Sequence, residues 1–437
     1  MQDIDKKDIK KSLIINYLFV SFPLSFILGN FFINLNIALL VFFTFFFFFT
    51  ELKKIKVIFL DKIIISFFIY SFFILVINFL ESKLNNNIFS SLIIDKTIFY
   101  LRYLLLYVSL RCLVNQNILK FNWFFFSCAF FSIFVCVDVY IQYIFGKDIF
   151  GYEPIAASKF SGPFGDELIA GGYIQKFSLF SLFLPFVLNQ KSKLNKILIQ
   201  LFLVILFITG IIVSGNRMPL LLFVFSLFLF FIFSGNIRKY IFPFFLVLSL
   251  GLVFLNFQKK DFHYNITKFY NSVEDLVNIF YTKKIPLKVN ENLENWKKPY
   301  VTEFYCFGHI WKKNIFTGGG IRSYRTFPGG CNNHPHNYYF EILVDLGLFG
   351  FFIILFLVFN ILYKMFLLRN IFNLETITSK QIIPFFLVLC TELFPIRSSG
   401  SFFSTSNATF IFMLLAVLVT LIEKHVEAKN TNKKLQN

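Results

Sequence analysis

Charged residues are scarce in this chain: Asp, Glu, Lys and Arg make up 15% of its 437 residues, against 57% hydrophobic residues. Soluble domains are nearer one quarter charged, so this balance argues against a soluble enzyme. The chain also lacks the low hydrophobicity of a disordered protein. Phe alone contributes 70 residues, more than the polar surface of one soluble core could cover. The composition therefore predicts an all-α polytopic membrane protein.

Metal-binding motifs are also lacking. The six Cys residues include no Cys-x-x-Cys pair, so neither a zinc site nor a disulfide framework is indicated. The one Asp-x-Asp motif is Asp3-Ile4-Asp5, in a segment that we predict to be cytoplasmic. A metal-dependent nucleotide-sugar site on the outer face is therefore not indicated, and we expect no metal and no cofactor.

Long apolar runs dominate what is present. A membrane-spanning helix needs about 20 mainly apolar residues, and the sequence contains twelve candidate runs. They are 12–29, 34–50, 62–80, 97–114, 121–145, 168–189, 197–214, 217–233, 240–257, 338–360, 381–396 and 402–422. No small-residue cleavage site follows the N-terminal lysines, so we expect the first run to be retained as a helix.

The distribution of basic residues predicts the orientation. With the N-terminus inside, the predicted cytoplasmic segments carry 22 Lys and Arg, and the short outer segments carry 6. This asymmetry follows the positive-inside rule and places both termini in the cytoplasm. The net charge of +18 therefore indicates a membrane surface, not nucleic acid.

The runs divide the chain into three parts. Residues 1–257 are predicted to form nine transmembrane helices, and residues 338–437 three helices and a cytoplasmic tail. Between them, residues 258–337 are predicted to form one large loop on the outer side, too long to be a simple connection. Its second half is predicted to contain a helix at about 300–315, ending at Gly318-Gly319-Gly320.

The eight arginines are unevenly placed. The other 34 basic residues are Lys, so Arg stands where its planar fork for phosphate or carboxylate would matter. Arg111, Arg238 and Arg369 are at predicted cytoplasmic ends. The other five are on the predicted outer side and are candidates for substrate binding: Arg102, Arg217, Arg322, Arg325 and Arg397. The alternative for each is interaction with lipid headgroups.

Two histidines precede the run 338–360, in the motif His334-Pro335-His336-Asn337. A histidine there suits general acid–base catalysis, although a solvated loop residue remains the alternative. Gly318-Gly319-Gly320 lies before this motif, and Arg322 and Arg325 follow those glycines. Together they could present backbone amides and guanidinium groups to a diphosphate. The alternative for this segment is a helix cap followed by a turn.

Ionisable residues inside apolar runs are functional candidates because burial in a bilayer is costly. Lys176 is well inside the run 168–189, and Asp138 and Glu392 are also within or at the end of runs. Asp166, before the same run as Lys176, is a candidate for binding substrate hydroxyls or balancing the arginines.

Cys306 and Cys331 are the two cysteines on the predicted outer side, where a bridge could form. Two free thiols remain the alternative.

The motifs resemble one known family. The stretch Ser214-Gly-Asn-Arg217-Met-Pro-Leu-Leu, the large outer loop and the motif from His334 to Gly347 resemble the O-antigen ligase and O-antigen polymerase superfamily. The family's histidine signature has ten residues between His and Gly, and His336 to Gly347 fits it. The resemblance covers the topology of the whole chain, with its specific motifs between about 200 and 350.

The resemblance implies a metal-independent C-type glycosyltransferase of the bacterial inner membrane. Its donor would be a glycan on undecaprenyl diphosphate at the periplasmic face. A ligase transfers this glycan to lipid A–core, and a polymerase transfers it to another lipid-linked unit. The resemblance implies Arg217 as the membrane-edge arginine and Arg322 or Arg325 as the loop arginine. The family's spacing to Gly347 assigns the base role to His336, and His334 would then either support His336 or bind the acceptor. A lipid-linked glycan transporter, with ionisable groups near the bilayer midplane, and a structural assembly protein remain alternatives.

Overall fold

The computed structural model describes residues 6–84, 90–155, 159–187, 193–233, 299–326, 334–374, 376–397 and 400–436. Across these ranges the chain forms α-helices and short 3-10 turns, and no β-strand. The helices are α1 (Lys6–Val20), α2 (Phe22–Leu28), α3 (Asn30–Leu52), α4 (Phe59–Leu84), α5 (Ser91–Asn115), α6 (Phe121–Phe145), α7 (Ala170–Ser181), α8 (Leu184–Val187), α9 (Lys193–Val213), α10 (Arg217–Phe233), α11 (Pro299–Trp311), α12 (Tyr338–Leu367), α13 (Ile377–Glu392) and α14 (Thr405–Gln436).

Six of the described helices are long and apolar enough to cross a membrane, or up to seven if the bent pair α1 and α2 counts as one span. The six are α3, α4, α5, α6, α12 and α14. These helices support a polytopic membrane protein. The count of twelve spans stays a prediction, because the run 240–257 and most of the segment 258–337 lie outside the described residues.

Four of the predicted runs contain a break. The run 34–50 is kinked at Phe48, which has a φ of −125° and a ψ of 27°. The run 12–29 bends by 44° between α1 and α2, where Pro23 is in the first turn of α2. The run 168–189 divides into α7 and α8, next to Pro185. Within α12, Gly347 has a φ of 65° and a ψ of −169°. Proline and glycine interrupt membrane helices where other parts of the protein satisfy the freed backbone groups.

The helix α14 lies at the centre of the described bundle. In the most apolar 18-residue stretch of α14, 89% of the residues are buried, whereas 28% are buried in the corresponding stretch of α3. It packs against α5, α13 and α3. Large apolar side chains such as Phe46, which is 72% exposed, lie on the outside, where lipid replaces water as the solvent. The abundance of Phe is therefore explained by two surfaces, the core and the lipid-facing rim.

A buried ion-pair network ties three helices together at the end of the bundle that the sequence predicts as cytoplasmic. Arg111 of α5 contacts Asp61 of α4 at 2.6 Å and Glu423 of α14 at 2.9 Å. The Tyr107 hydroxyl donates to the other oxygen of Asp61 at 2.5 Å. Arg111 is only 2% exposed, so it is a structural residue of the bundle and not a simple cytoplasmic anchor.

The orientation of the chain gives a first testable prediction. Reporter fusions at residues 290 and 430 are expected to lie in opposite compartments, with 290 outside and 430 inside, because the basic residues concentrate on the predicted inner side. A periplasm-active and a cytoplasm-active reporter at each site would measure this. The same compartment for both fusions would contradict the topology.

Candidate active site

The start of α12 is fixed by Asn337. Its side-chain oxygen accepts hydrogen bonds from the amides of Tyr339 and Phe340 at 2.9 and 3.3 Å, as an N-cap does. Its side-chain nitrogen donates to the carbonyl of Pro395 at 2.8 Å. Asn337 is therefore the N-cap of α12, and it ties the beginning of α12 to the segment after α13. His336 lies directly before this cap.

The two histidines lie against each other, with ring centroids 4.3 Å apart. His336 has a positive φ of 46°, which non-glycine residues adopt uncommonly. Its Nε2 lies 3.5 Å from Oε1 of Glu303 on α11. Burial, with the charges of His336, Arg325 and Arg322, lowers the pKa of His334 to about 4. His334 is therefore neutral at pH 7, so it can bind a substrate as a hydrogen-bonding group but not as a cation.

The glycine-rich turn docks into the break in α12. The amide of Gly319 donates to the carbonyl of Val344 at 3.0 Å, and that of Gly320 to the carbonyl of Asp345 at 2.8 Å. A Cβ on Gly347 would lie 2.2 Å from the carbonyl oxygen of Phe316, so only glycine fits there. These amides bind α12, which differs from the hypothesis that they bind a diphosphate. Their role is to seat the following arginines.

Asp345 fixes the turn that carries the two loop arginines. Its carboxylate accepts from the amide of Arg322 at 2.7 Å, the hydroxyl of Ser323 at 2.9 Å and the amide of Tyr324 at 3.2 Å. Arg322 is 9% exposed, and its Nη2 donates to the carbonyl of Phe403 at 3.3 Å. Arg325 is exposed. The structure thus turns Arg322 inward and Arg325 outward.

The segment 400–407, before and within the first turn of α14, is where these elements meet. Glu341 of α12 accepts from the hydroxyl of Ser401 at 2.6 Å and from the amide of Phe402 at 2.5 Å. Arg102 of α5 donates to the hydroxyl of Thr405 at 3.2 Å. The side chain of Asn407 donates to the carbonyl of Ser401 at 2.9 Å. This segment therefore holds α5, α12 and the Arg322 turn together.

A buried ion cluster lies next to that segment. Glu392 is fully buried, 2.7 Å from Nη1 of Arg397 and 3.4 Å from Nζ of Lys176. Lys176 also donates to the side-chain oxygen of Asn407 at 3.0 Å. The Arg397 guanidinium lies over the ring of Tyr338, 5.6 Å from its centre. Two of the predicted site residues, Arg397 and Lys176, thus share one carboxylate.

An apolar cleft of about 760 Å³ opens between α10, α12 and α13. Its wall is made of Phe, Leu and other apolar side chains, and Asn337 and Pro395 also line it. The cleft therefore joins a lipid-like interior to the mouth of α12, next to His336.

Two further predicted site residues lie at the start of α10 and in the turn before α7. Arg217 begins α10 and is exposed, and α10 packs against α7 and α13, which carry Lys176 and Glu392. Asp166 is exposed in the turn before α7.

Several residues of this region were not predicted from the sequence. Glu341 and Asp345 lie inside the predicted span 338–360, so the rule that intramembrane acids are functional candidates would have found them. Ser401, between two apolar runs, and Asn407, within the run 402–422, gave no signal, because single small polar residues are common in ordinary turns and helices.

Comparison with known proteins gives one family match. Residues 202–355 match the family model described as O-antigen ligase. The match supports the O-antigen ligase-related superfamily. It spans about a third of the chain and includes Arg217, Arg322, Arg325, His334 and His336. The resemblance seen in the motifs is thus confirmed over this region. No curated protein matches the chain.

The state of Cys306 is consistent with the disulfide bond considered from the sequence. Cys306 on α11 is disulfide-bonded, while Cys112, Cys128, Cys136 and Cys390 are free. Cys331 lies outside the described residues, so its pairing with Cys306 stays a prediction.

Proposed function

We propose that this protein is a glycosyltransferase of the bacterial inner membrane. It moves a glycan from undecaprenyl diphosphate to an acceptor hydroxyl at the periplasmic face. The observation that supports this most is that Arg102 and Arg322, distant in sequence, both donate to the segment 400–407. Arg397 lies over Tyr338, two residues after His336. Cations and a histidine thus gather where a lipid diphosphate would meet an acceptor.

The arginines bind the diphosphate in this proposal. A guanidinium group presents a planar fork to phosphate oxygens and stays charged at any physiological pH. Preorganised donors stabilise the charge that develops on a leaving phosphate. Arg217, at the exposed start of α10, and Arg322, seated by Asp345, are the principal groups. Arg325, Arg102, Arg397 and Lys176 complete the positive surroundings, and His334 and Asp166 contact the sugars.

His336 acts as the base. It removes the proton of the acceptor hydroxyl while the oxygen attacks the anomeric carbon of the donor sugar. The bond between that carbon and the diphosphate oxygen breaks, and undecaprenyl diphosphate leaves with the electron pair. A histidine suits this task near neutral pH. The step uses no metal and no nucleotide sugar.

The apolar cleft supports a lipid-linked donor. Its walls suit an isoprenoid chain, which is hydrocarbon along its whole length, and its Asn337 end lies beside His336.

A ligase and a polymerase would carry out the same reaction and differ only in the acceptor. We propose the ligase, with lipid A–core as acceptor; the polymerase, which joins lipid-linked repeat units, is the alternative.

A deletion strain tests this function. Loss of the protein is expected to leave lipid A–core without glycan while full-length lipid-linked glycan accumulates outside. If the strain instead carries single repeat units on lipid A–core, the protein is the polymerase. If the lipid-linked glycan stays on the cytoplasmic side, the protein is a transporter and the proposal is wrong.

The membrane-edge arginine gives a second prediction. Arg217→Lys keeps the positive charge but loses the fork, so we expect a strong loss of transfer at a normal protein level. Transfer in membranes, with the protein quantified by immunoblot, measures this. Arg369→Lys, at the predicted cytoplasmic end, is the matched control and should transfer normally. A fully active Arg217→Lys would exclude the diphosphate-binding role.

A further inference from the structure

The helix α11 in the large loop docks on α12 through one face. Buried residues on that face are Cys306, Phe307 and Ile310. They pack with Val344 of α12 and with Tyr324, in the turn that carries Arg322 and Arg325. Their spacing from Glu303, at i+3, i+4 and i+7, puts all four side chains on one side of the helix. Glu303 therefore belongs to the docking face, although it is acidic.

Glu303 is buried among these apolar side chains, with only 7% of the residue exposed. A carboxylate in such a place is costly unless a donor or an opposite charge compensates it. Its Oε1 lies 3.5 Å from Nε2 of His336. That distance is longer than an ideal hydrogen bond, but catalytic contacts often shorten only when the substrate is bound.

The side chains of His336 and Glu303 differ in solvent exposure. The side chain of His336 is 40% exposed and that of Glu303 is 9% exposed. Glu303 therefore lies behind the imidazole, and the ring keeps an open side for an acceptor. Since Nε2 is the ring nitrogen that lies 3.5 Å from the carboxylate, Nδ1 is left for the acceptor hydroxyl. His334 lies against the same ring.

We infer that Glu303 is the positioning residue for His336: its carboxylate orients the imidazole and stabilises the imidazolium formed during transfer. The inference rests on the proposed function. The acceptor proton moves to Nδ1 of His336, the Nε2 proton stays hydrogen-bonded to Glu303, and the proton gained passes to water after transfer. Glu303 itself stays ionised, as the buried acid does in other carboxylate–histidine pairs.

Steady-state transfer by the purified full-length protein tests this role. Glu303→Gln keeps the shape and one acceptor oxygen but removes the charge. We expect kcat to fall on the order of 10²-fold, at the lower end of what general acid–base catalysis contributes, with KM for the acceptor almost unchanged. Glu303→Asp keeps the charge on a shorter side chain and should recover part of kcat. Glu153→Gln makes the same change at an exposed outer carboxylate and should be silent.

The double variant separates positioning from other roles. If Glu303 acts through His336, adding Glu303→Gln to His336→Ala should cause no further loss. Multiplying losses would overturn the inference, and so would a Glu303→Gln enzyme with wild-type kcat. A lower melting temperature of Glu303→Gln would mean that this variant also loses stability. The role of Glu303 is then judged from the kcat of Glu303→Asp and of the double variant, by the same criteria.

Different results would exclude the proposed function and the role of Glu303. If the wild type transfers no glycan, or His336→Ala transfers at the wild-type rate, the proposed function or its mechanism is wrong. If the wild type is active, His336→Ala is inactive and Glu303→Gln is unaffected, only the role of Glu303 is wrong. If Glu303→Gln is inactive while His336→Ala keeps activity, Glu303 is the base and the inference is also wrong.

Discussion

Replacement of His336 by alanine is expected to reduce glycan transfer by roughly 10²–10⁴-fold, the usual contribution of a general base. The residue lies at the mouth of α12, before the Asn337 cap, and its ring is partly exposed. Removing the ring leaves the cap hydrogen bonds to Tyr339 and Phe340 intact, so insertion and folding should be retained. Transfer rates at saturating donor, normalised to protein level, measure the effect.

His334→Ala is the matched control for this prediction. His334 is the adjacent ring, with a pKa of about 4 caused first by burial, so it is neutral throughout the working range. We expect its loss to weaken transfer without abolishing it, because it binds substrate and does not take the proton. If His336→Ala transfers at the wild-type rate under limiting acceptor, the proposed mechanism is excluded.

Glu392→Gln is expected to have the largest effect on stability. The carboxylate is fully buried between Arg397 and Lys176, and its loss leaves two buried cations facing each other. Breaking a buried ion pair by removing one partner costs about 3–5 kcal/mol. We therefore expect a clear fall in melting temperature in detergent at a fixed scan rate, accompanied by reduced transfer.

A second substitution distinguishes charge from packing in this cluster. Glu392→Gln combined with Lys176→Met removes one of the two uncompensated cations and should recover part of the lost stability. Glu427→Gln, an exposed acid on the tail of α14, is the control and should melt like the wild type. A Glu392→Gln protein as stable as the wild type would show that the cluster is not held by its charges.

The helices could be predicted well from apolar runs, and their breaks less well. The run 121–145 coincides with α6, and 217–233 with α10. The run 168–189 does not show that α7 ends at Ser181, because hydropathy measures the length of an apolar segment but not its continuity. Similarly, the helix predicted at about 300–315 ends at Trp311, and a turn leads from there to the glycines.

The site was predictable only in its residue types. An excess of Arg on the predicted outer side indicated on which side of the membrane the reaction takes place. It did not indicate that Arg322 is buried and Arg325 exposed. That difference depends on the carbonyl of Phe403, 81 residues away, and no local pattern encodes it. Glu303 was missed for the same reason: its importance comes from His336, which is distant in sequence and lies beside it only after α11 docks.

Transfer by the purified protein tests the central claim most directly. The wild type is incubated with glycan-bearing undecaprenyl diphosphate and lipid A–core in EDTA, without nucleotide sugar. We expect glycan to appear on lipid A–core and undecaprenyl diphosphate to be released in equal amount. A wild-type protein that releases no undecaprenyl diphosphate, and neither transfers nor lengthens the glycan, would contradict it.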